Sequence, residues 1–330
     1  MTCSVIYPPT LEWTILTQRP QQLMRQFARH GYPTYFCNRT QSPGLPPEPV
    51  SPNLWVVHDH EAFVARGLPG GARLVWCSWP KLHDILDRYR PTAVVFDAVD
   101  DFPEWRPYEG PMLRRADAVV TSARSLFERL SGLHPRVVLV PNGWDEDLDR
   151  GPLGPRPADL PPAPVAGFVG AWAPWVDGRL LEAVAARLPR WQFAIIGPLH
   201  GRRPARGANI HHLGHRPHGE LGRYLHHLDV GLIPFQVTAV TRAANPVKLW
   251  EYLGAGLPVV STPIPEVLSL DEHVAVAADP DGFARAIEAA WRTDTPERRE
   301  SRRQFARQNS WAARFARLQA ELADLLSPGR

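Results

Sequence analysis

The sequence predicts an α/β protein made of two doubly wound units, each a parallel sheet covered by helices on both faces. Three observations predict it. The chain has 330 residues, about two domains at roughly 150 residues each. Short apolar runs alternate with stretches of helical apolar spacing, the pattern of strands buried on both faces and joined by crossover helices. Residues 151–164 repeat proline, which removes amide donors and fixes φ, so no regular helix or central strand forms there. The expected organisation is a first unit at 1–150, a linker at 151–164, a second unit at 165–308 and a closing segment at 309–330.

Apolar, β-rich runs at 4–7, 33–37, 54–58, 74–77, 93–97, 118–121 and 137–140 are the strands expected in the first unit. A helix over 20–30 follows the first of them, with Pro20 at N1 and Gly31 just past its end. The second unit offers strands at 165–170, 192–196, 210–213, 230–234 and 258–261, with helices at 177–188, 219–227 and 281–291. Between its last two strands, Asn245 reads as N-cap, Pro246 as N1 and Gly256 as C′ of a helix of about ten residues. The chain closes with Ser310 as N-cap and an apolar stripe of Trp311, Phe315, Leu318, Leu322 and Leu325. The opposite face of this last helix is Arg-rich; docking on a domain is expected, with coating of a membrane surface as the alternative.

Charge excludes some classes. The net charge is +3, without the excess of a dedicated nucleic-acid binder. Residues 1–150 hold 16 basic and 17 acidic side chains and residues 151–330 hold 21 and 17, so the surplus lies in the second half. No apolar run approaches the roughly 18 residues of a membrane-spanning helix, and the start shows no basic, apolar leader pattern. Cys3, Cys37 and Cys77 are odd in number and far apart. They suit a reducing cytoplasm rather than a disulfide framework or a zinc site. The expected location is the cytoplasm, with peripheral association at the inner face of the membrane as a further option.

Ligands of open parallel sheets bind beyond the carboxyl ends of the strands, and two such units facing each other would share one cleft. Neither G-x-G-x-x-G after the first strand nor G-x-x-x-x-G-K-[ST] anywhere occurs, which removes the main support for a dinucleotide dehydrogenase or a P-loop NTPase. The helix beyond Asn245 directs free amides and the Lys248 ammonium to the strand exits. That combination suits a diphosphate, while Glu251, one turn on, suits a ribose diol. The alternative is a plain i,i+3 surface pair. Only Lys81 and Lys248 are lysines in the chain, so a compact ammonium here departs from the protein's own usage.

On the first unit's side, Asp97-Ala98-Val99-Asp100-Asp101 leaves the strand 93–97. Clustered carboxylates raise at least one pKa, which suits a general base; Asp100 is the expected base or acceptor anchor, with helix capping at 102–115 as the alternative. Arg19, at the positive end of the helix 20–30 beside Gln18, is expected to hold a phosphate or an anionic acceptor. Trp13 is expected to stack on a sugar or a base, or to pack. His211, His212, His215 and His218 invite a metal reading, but the first two alternate across a strand and lack acidic or Cys partners nearby. The loop with His215 and Arg216 is instead expected to line the base pocket.

The segments Asn245-Pro246-Val247-Lys248-Leu249-Trp250-Glu251-Tyr252-Leu253-Gly254-Ala255-Gly256, Val140-Pro141-Asn142-Gly143-Trp144-Asp145 and Asp229-Val230-Gly231-Leu232-Ile233-Pro234-Phe235 resemble GT-B glycosyltransferases of the family 4 type. Bacterial teichuronic-acid-biosynthesis-type enzymes are the nearest in pattern. Thr17-Gln18-Arg19-Pro20-Gln21-Gln22, Asp97-Ala98-Val99-Asp100-Asp101 and Asn309-Ser310-Trp311 are also similar. The resemblance implies two Rossmann-like domains, a nucleoside diphosphate sugar held by the second, an acceptor held by the first, and a final helix returning to the first. With the residue readings above, this puts Lys248, Glu251, Asn245, Val247, Arg242, Gly170, Trp172, His215 and Arg216 on the expected donor side, Arg19, Gln18, Trp13 and Asp97 on the expected acceptor side, and Asp100 at the chemistry.

Two positions depart from the pattern. Ala243 stands where a Glu-x7-Glu motif has its first acid, and the loop Gly170-Ala171-Trp172-Ala173-Pro174-Trp175-Val176-Asp177 lacks a basic pair. Lys248 and Arg242 therefore carry more of the diphosphate. The implied activity is glycosyl transfer to a hydroxyl of a small-molecule, glycan or lipid-linked acceptor, with no obligatory metal or cofactor and no nucleic-acid partner. A nucleotide-sugar epimerase and a non-catalytic nucleotide-sugar binding protein are the alternatives.

Overall fold

The computed structural model describes residues 3–149, 154–201, 203–270 and 272–326. Two compact units emerge, one from residues 1–142 with 311–330 and one from residues 143–310. The division thus falls before Gly143 rather than in the proline-rich stretch 151–164, whose residues 151–153 lie outside the described residues. Prolines forbid regular structure there but not packing. Asp159 is tied to Arg216 and to the Tyr224 hydroxyl, and Arg156 donates to the carbonyls of Pro161 and His227, so this stretch belongs to the second unit.

The first unit holds an eight-stranded sheet: β1 Ser4–Tyr7, β2 Thr34–Cys37, β3 Glu48–Ser51, β4 Leu54–Val57, β5 Arg73–Cys77, β6 Ala93–Ala98, β7 Ala118–Thr121 and β8 Val137–Leu139, in the order β3-β4-β2-β1-β5-β6-β7-β8. All pairings are parallel except β3 with β4. Alternation along each strand supplies two apolar faces, as a strand's two-residue period requires. Val5, Leu74, Trp76 and Val95 join one core, while Ile6, Val75, Cys77, Val94 and Phe96 join the other. The first core also takes Leu23 and Phe27 from the helix Arg19–Arg29, and Trp311, Phe315 and Leu318 from the helix Trp311–Glu321. The closing helix spends its apolar stripe inside this core, which removes the membrane-coating alternative.

The second unit holds β9 Val165–Val169, β10 Gln192–Ile196, β11 Ile210–Gly214, β12 Val230–Ile233, β13 Val259–Ser261 and β14 Val274–Val276, all parallel, in the order β11-β10-β9-β12-β13-β14. Strand order reverses between β9 and β12, the point where open sheets leave a ligand crevice. Elements not expected from sequence include the edge strand β3, the short β14, and the helices Arg124–Ser131 and Pro296–Gln308. Among the described residues no helix is long and apolar enough to cross a membrane.

Candidate functional site

The helix Val247–Gly254 starts in the loop beyond β12, beside the β9/β12 reversal. Pro246, not Asn245, occupies its N-cap, and no side chain caps it. Asn245 is instead a buried brace: its amide donates to Glu266 Oε2 at 2.6 Å and its carbonyl accepts from Trp250 Nε1 at 3.2 Å. The Tyr252 hydroxyl accepts from the Val169 amide at 2.8 Å and donates to the Leu232 carbonyl at 3.3 Å, locking the helix across β9 and β12. At the other end, Arg302 donates to the Gly256 carbonyl at 3.0 and 2.8 Å, a cation where the helix dipole favours one.

The amino end so fixed carries Val247, half-buried, and Lys248. Lys248 Nζ lies 5.1 Å from the Phe168 ring centroid and 4.9 Å from that of Phe235. It makes no hydrogen bond or ion pair among the described residues, and burial lowers its pKa to about 8 against a raising pull from Glu251. A Cβ at position 170 would stand 3.2 Å from Lys248 Cε and 3.4 Å from Nζ, so Gly170, at φ +124°, leaves the ammonium its place at the exit of β9. Beneath it, a Cβ on Gly197 would fall 2.0 Å from the Gly170 carbonyl oxygen.

Glu251 is 6% exposed, and its carboxylate makes no hydrogen bond among the described residues. Burial raises its pKa; His218 and Lys248 pull it down and Asp145 pushes it up. His218 Nε2 lies 2.7 Å from Asp145 Oδ2 in a largely buried pair. Sequence reasoning missed this pair, because Asp145 and His218 are 73 residues apart. The available signal was their occurrence in two motifs already singled out, each at a loop-to-element junction.

Two other donor-side expectations, Trp172 and Arg216, are corrected. Trp172 is 1% exposed and packs edge-on against Phe168 with its Nε1 donating to the Arg203 carbonyl, so it is core and not a ligand-facing ring. Arg216 pairs with Asp159, donates to the Tyr224 hydroxyl at 2.7 Å and lies over the Tyr224 ring, so its charge is spent inside the unit. His215 and Arg242 are exposed, the latter ending the short helical turn Ala239–Arg242, and Ala243 is buried. His211 meets Gln192 Oε1 and His212 meets the Ala205 carbonyl. Among the described residues no three His, Cys, Asp or Glu side chains are gathered as a metal site.

In the first unit the three carboxylates of 97–101 are sorted by their partners. Asp97 shares a face of β6 with Val95, toward the helix Arg19–Arg29, and Arg19 Nε reaches its two oxygens at 2.9 and 3.0 Å while Trp76 Nε1 donates at 3.1 Å. Arg19 also donates to the Val140 carbonyl at 2.8 Å and is 3% exposed. Arg19 and Asp97 are therefore an internal brace between β6, the helix and the end of β8, not an anchor for an acceptor. Asp101 pairs with Arg106 at 2.6 Å and Arg129 at 3.4 Å. Asp100, half-buried, makes no hydrogen bond or ion pair among the described residues, and burial, then Asp101 and Asp97, raise its pKa to about 6. None of the three caps a helix, since Phe102 and Trp105 hold those positions.

Gln18 is exposed at the N-cap of the helix Arg19–Arg29, with its amide donating to Gln21 Oε1 at 3.1 Å. Trp13 is half-buried, edge-on to Phe36 with Arg25 over its ring, which is a packing role.

Residues 178–320, the stretch that includes Lys248 and Glu251, match the family described as glycosyl transferase-like. The chain is 26% identical over 230 residues to the protein named "Putative teichuronic acid biosynthesis glycosyltransferase TuaH" of Bacillus subtilis (strain 168), covering 63% of this chain and 57% of that protein. The chain thus spans less than two thirds of that relative's length. Sucrose-phosphate synthase from Thermosynechococcus elongatus superposes with a TM-score of 0.72 at 16% identity, over 98% of this chain and 99% of that one. HepE of Anabaena, solved in complex with UDP and glucose, superposes with a TM-score of 0.68 at 13% identity, over 98% and 100%. The fold is GT-B.

Proposed function

We propose that the chain is a glycosyltransferase that moves a sugar from a nucleoside diphosphate donor to an acceptor hydroxyl. The unpartnered Lys248 ammonium at an uncapped helix start, flanked by the glycine turn at 170, carries this reading. A diphosphate there would receive the helix amides and the ammonium together, and the negative charge that grows on it as the glycosidic bond breaks would be met by groups already in place. Glu251, buried without a hydrogen-bond donor, would take the two ribose hydroxyls. His218, held by Asp145, sits near enough to bias the Glu251 carboxylate toward its charged form.

In this reading Asp100 takes the proton of the acceptor hydroxyl or orients it, since it alone of the three carboxylates is left without a cation. The positive charge for the leaving group comes from the chain itself, so no obligatory metal is invoked. TuaH carries a glycosyltransferase name and HepE was solved with UDP and glucose, which is why nucleoside diphosphate sugars are the donors to try first.

The test is isothermal titration of the full chain with UDP, GDP and dTDP, beside Lys248→Met. One nucleotide should bind in the micromolar range, and Lys248→Met should weaken it by tenfold or more. Binding of none, or equal binding by the variant, sinks the proposal.

A further inference from the structure

Arg39, Trp79 and Asp100 each stand two residues beyond the carboxyl end of a strand, β2, β5 and β6 respectively. These strands are parallel neighbours or next-neighbours in one sheet, so the three residues leave along one edge. The Arg39 guanidinium lies 5.3 Å from the Trp79 ring centroid and the Lys81 ammonium 5.8 Å from the same ring. Lys81 also lies 5.5 Å from the ring of Tyr108, which is 36% exposed.

Neither cation has an ion-pair or hydrogen-bond partner for its side chain among the described residues. Arg90 and Arg114 share this state, whereas five other arginines do not. In the same unit Arg88 pairs with Glu61, Arg106 with Asp101, Arg115 with Asp87, Arg129 with Glu109 and Arg136 with Asp324. An aromatic face returns only about 0.5–1 kcal/mol to an exposed cation, and two cations gathered at one indole repel each other. An anion held by both would relieve that repulsion, and the half-buried Trp79 ring with the exposed Tyr108 ring offers the apolar C–H face of a sugar something to lie on.

We infer that this edge is the acceptor subsite and that the acceptor is an anionic saccharide, a pyranose bearing a carboxylate or phosphate. The inference rests on the transferase reading and adds the acceptor's class to it. The anion lies between Arg39 and Lys81, the ring lies on Trp79 and Tyr108, and the hydroxyl to be glycosylated is turned to Asp100 at the neighbouring strand end.

The test uses the full chain with methyl β-glucuronide, glucose 6-phosphate, methyl β-glucoside, and acetate and inorganic phosphate as bare-anion probes, read by tryptophan fluorescence and ligand-observed NMR. At least one anionic sugar should bind tenfold or more tighter than the neutral glucoside and tighter than either bare anion; which one identifies the group. Lys81→Met, at a half-buried position, and Arg39→Gln, at an exposed one, should each cut that preference threefold or more while leaving UDP affinity unchanged. Equal binding of charged and neutral sugars, bare anions binding as well as sugars, or variants that keep the preference would each overturn the inference. UDP binding measured on the same samples separates the two readings. Its absence strikes the transferase proposal, whereas UDP binding without anion preference strikes this inference alone.

Discussion

Replacing Lys248 by Met should stabilise the protein and weaken the proposed nucleotide binding by tenfold or more. Burial lowers the Lys248 pKa from 10.5 to about 8. At 1.36 kcal/mol per tenfold change in proton affinity, holding this ammonium in the folded chain costs up to roughly 3 kcal/mol at pH 7. The Phe168 and Phe235 rings return part of that through their faces, and a methionine thioether keeps comparable ring contacts, so a net gain of about 1–2 kcal/mol is expected. That corresponds to a rise of roughly 2–8 °C in Tm for a domain of this size. The sign with pH follows from the depressed value. Between about 8 and 10.5 the unfolded chain binds a proton that the folded chain has released, so wild-type stability climbs with pH and the gap to Lys248→Met closes over that window. Thermal denaturation at pH 7, 8.5 and 10 measures the gap, and nucleotide titration of the same samples measures the lost affinity. A variant less stable than wild type at pH 7, or a gap that ignores pH, would refute the reasoning.

Asp100→Asn should lower turnover by a hundredfold or more with donor affinity intact. The wild-type rate should rise through pH 6, where the Asp100 carboxyl ionises. Because its folded pKa lies above the usual carboxylate value, wild-type stability falls across pH 4 to 6 relative to this variant, and urea midpoints at pH 4 and 7 should show Asp100→Asn gaining at the higher pH. Arg19→Leu strands Asp97 as a buried charge and should cost about 3–5 kcal/mol in urea unfolding, most of it recovered by adding Asp97→Leu; a neutral single variant would count against the brace. Gly197→Ala drives a methyl into the Gly170 carbonyl and should both destabilise the second unit and weaken nucleotide binding, since it displaces the turn that accommodates Lys248; unchanged affinity in a folded variant would argue against that link.

Both sheets were legible because their strands are buried on two faces and so read as unbroken apolar runs: Ala93–Ala98 and Gln192–Ile196 stand where those runs do. What was illegible lacked that burial. Strand β3 is exposed throughout and contains Pro49, which only an edge position tolerates. The helix Pro296–Gln308 buries only Arg302 and Ala306, so its pattern is nearly all polar; its Thr295 N-cap and Pro296 were the signals present. In the candidate site, Lys248 and Glu251 were readable because one helix turn sets their relation. Arg19 and Asp97 lie 78 residues apart, and no local pattern shows that each is the other's partner.

Partnering, rather than residue type or position, divides the charged residues of each unit into two kinds. Arg19, Asp97, Asp101 and Arg216 sit at strand exits or helix ends as conspicuously as Lys248 and Asp100 do, yet each is neutralised within its own unit. Lys248, Glu251 and Asp100 are driven from their ordinary ionisation by burial and left without a hydrogen-bond partner among the described residues. Such groups lower stability, so a chain free to optimise folding alone would replace them. Their retention in one chain makes sense when a ligand supplies the missing partner: phosphate oxygens for the ammonium, and hydroxyl donors for the two carboxylates. The same test that excludes Arg216 and Arg19 from the chemistry leaves Arg39 and Lys81 available, two cations gathered at one indole without an ion-pair partner among the described residues.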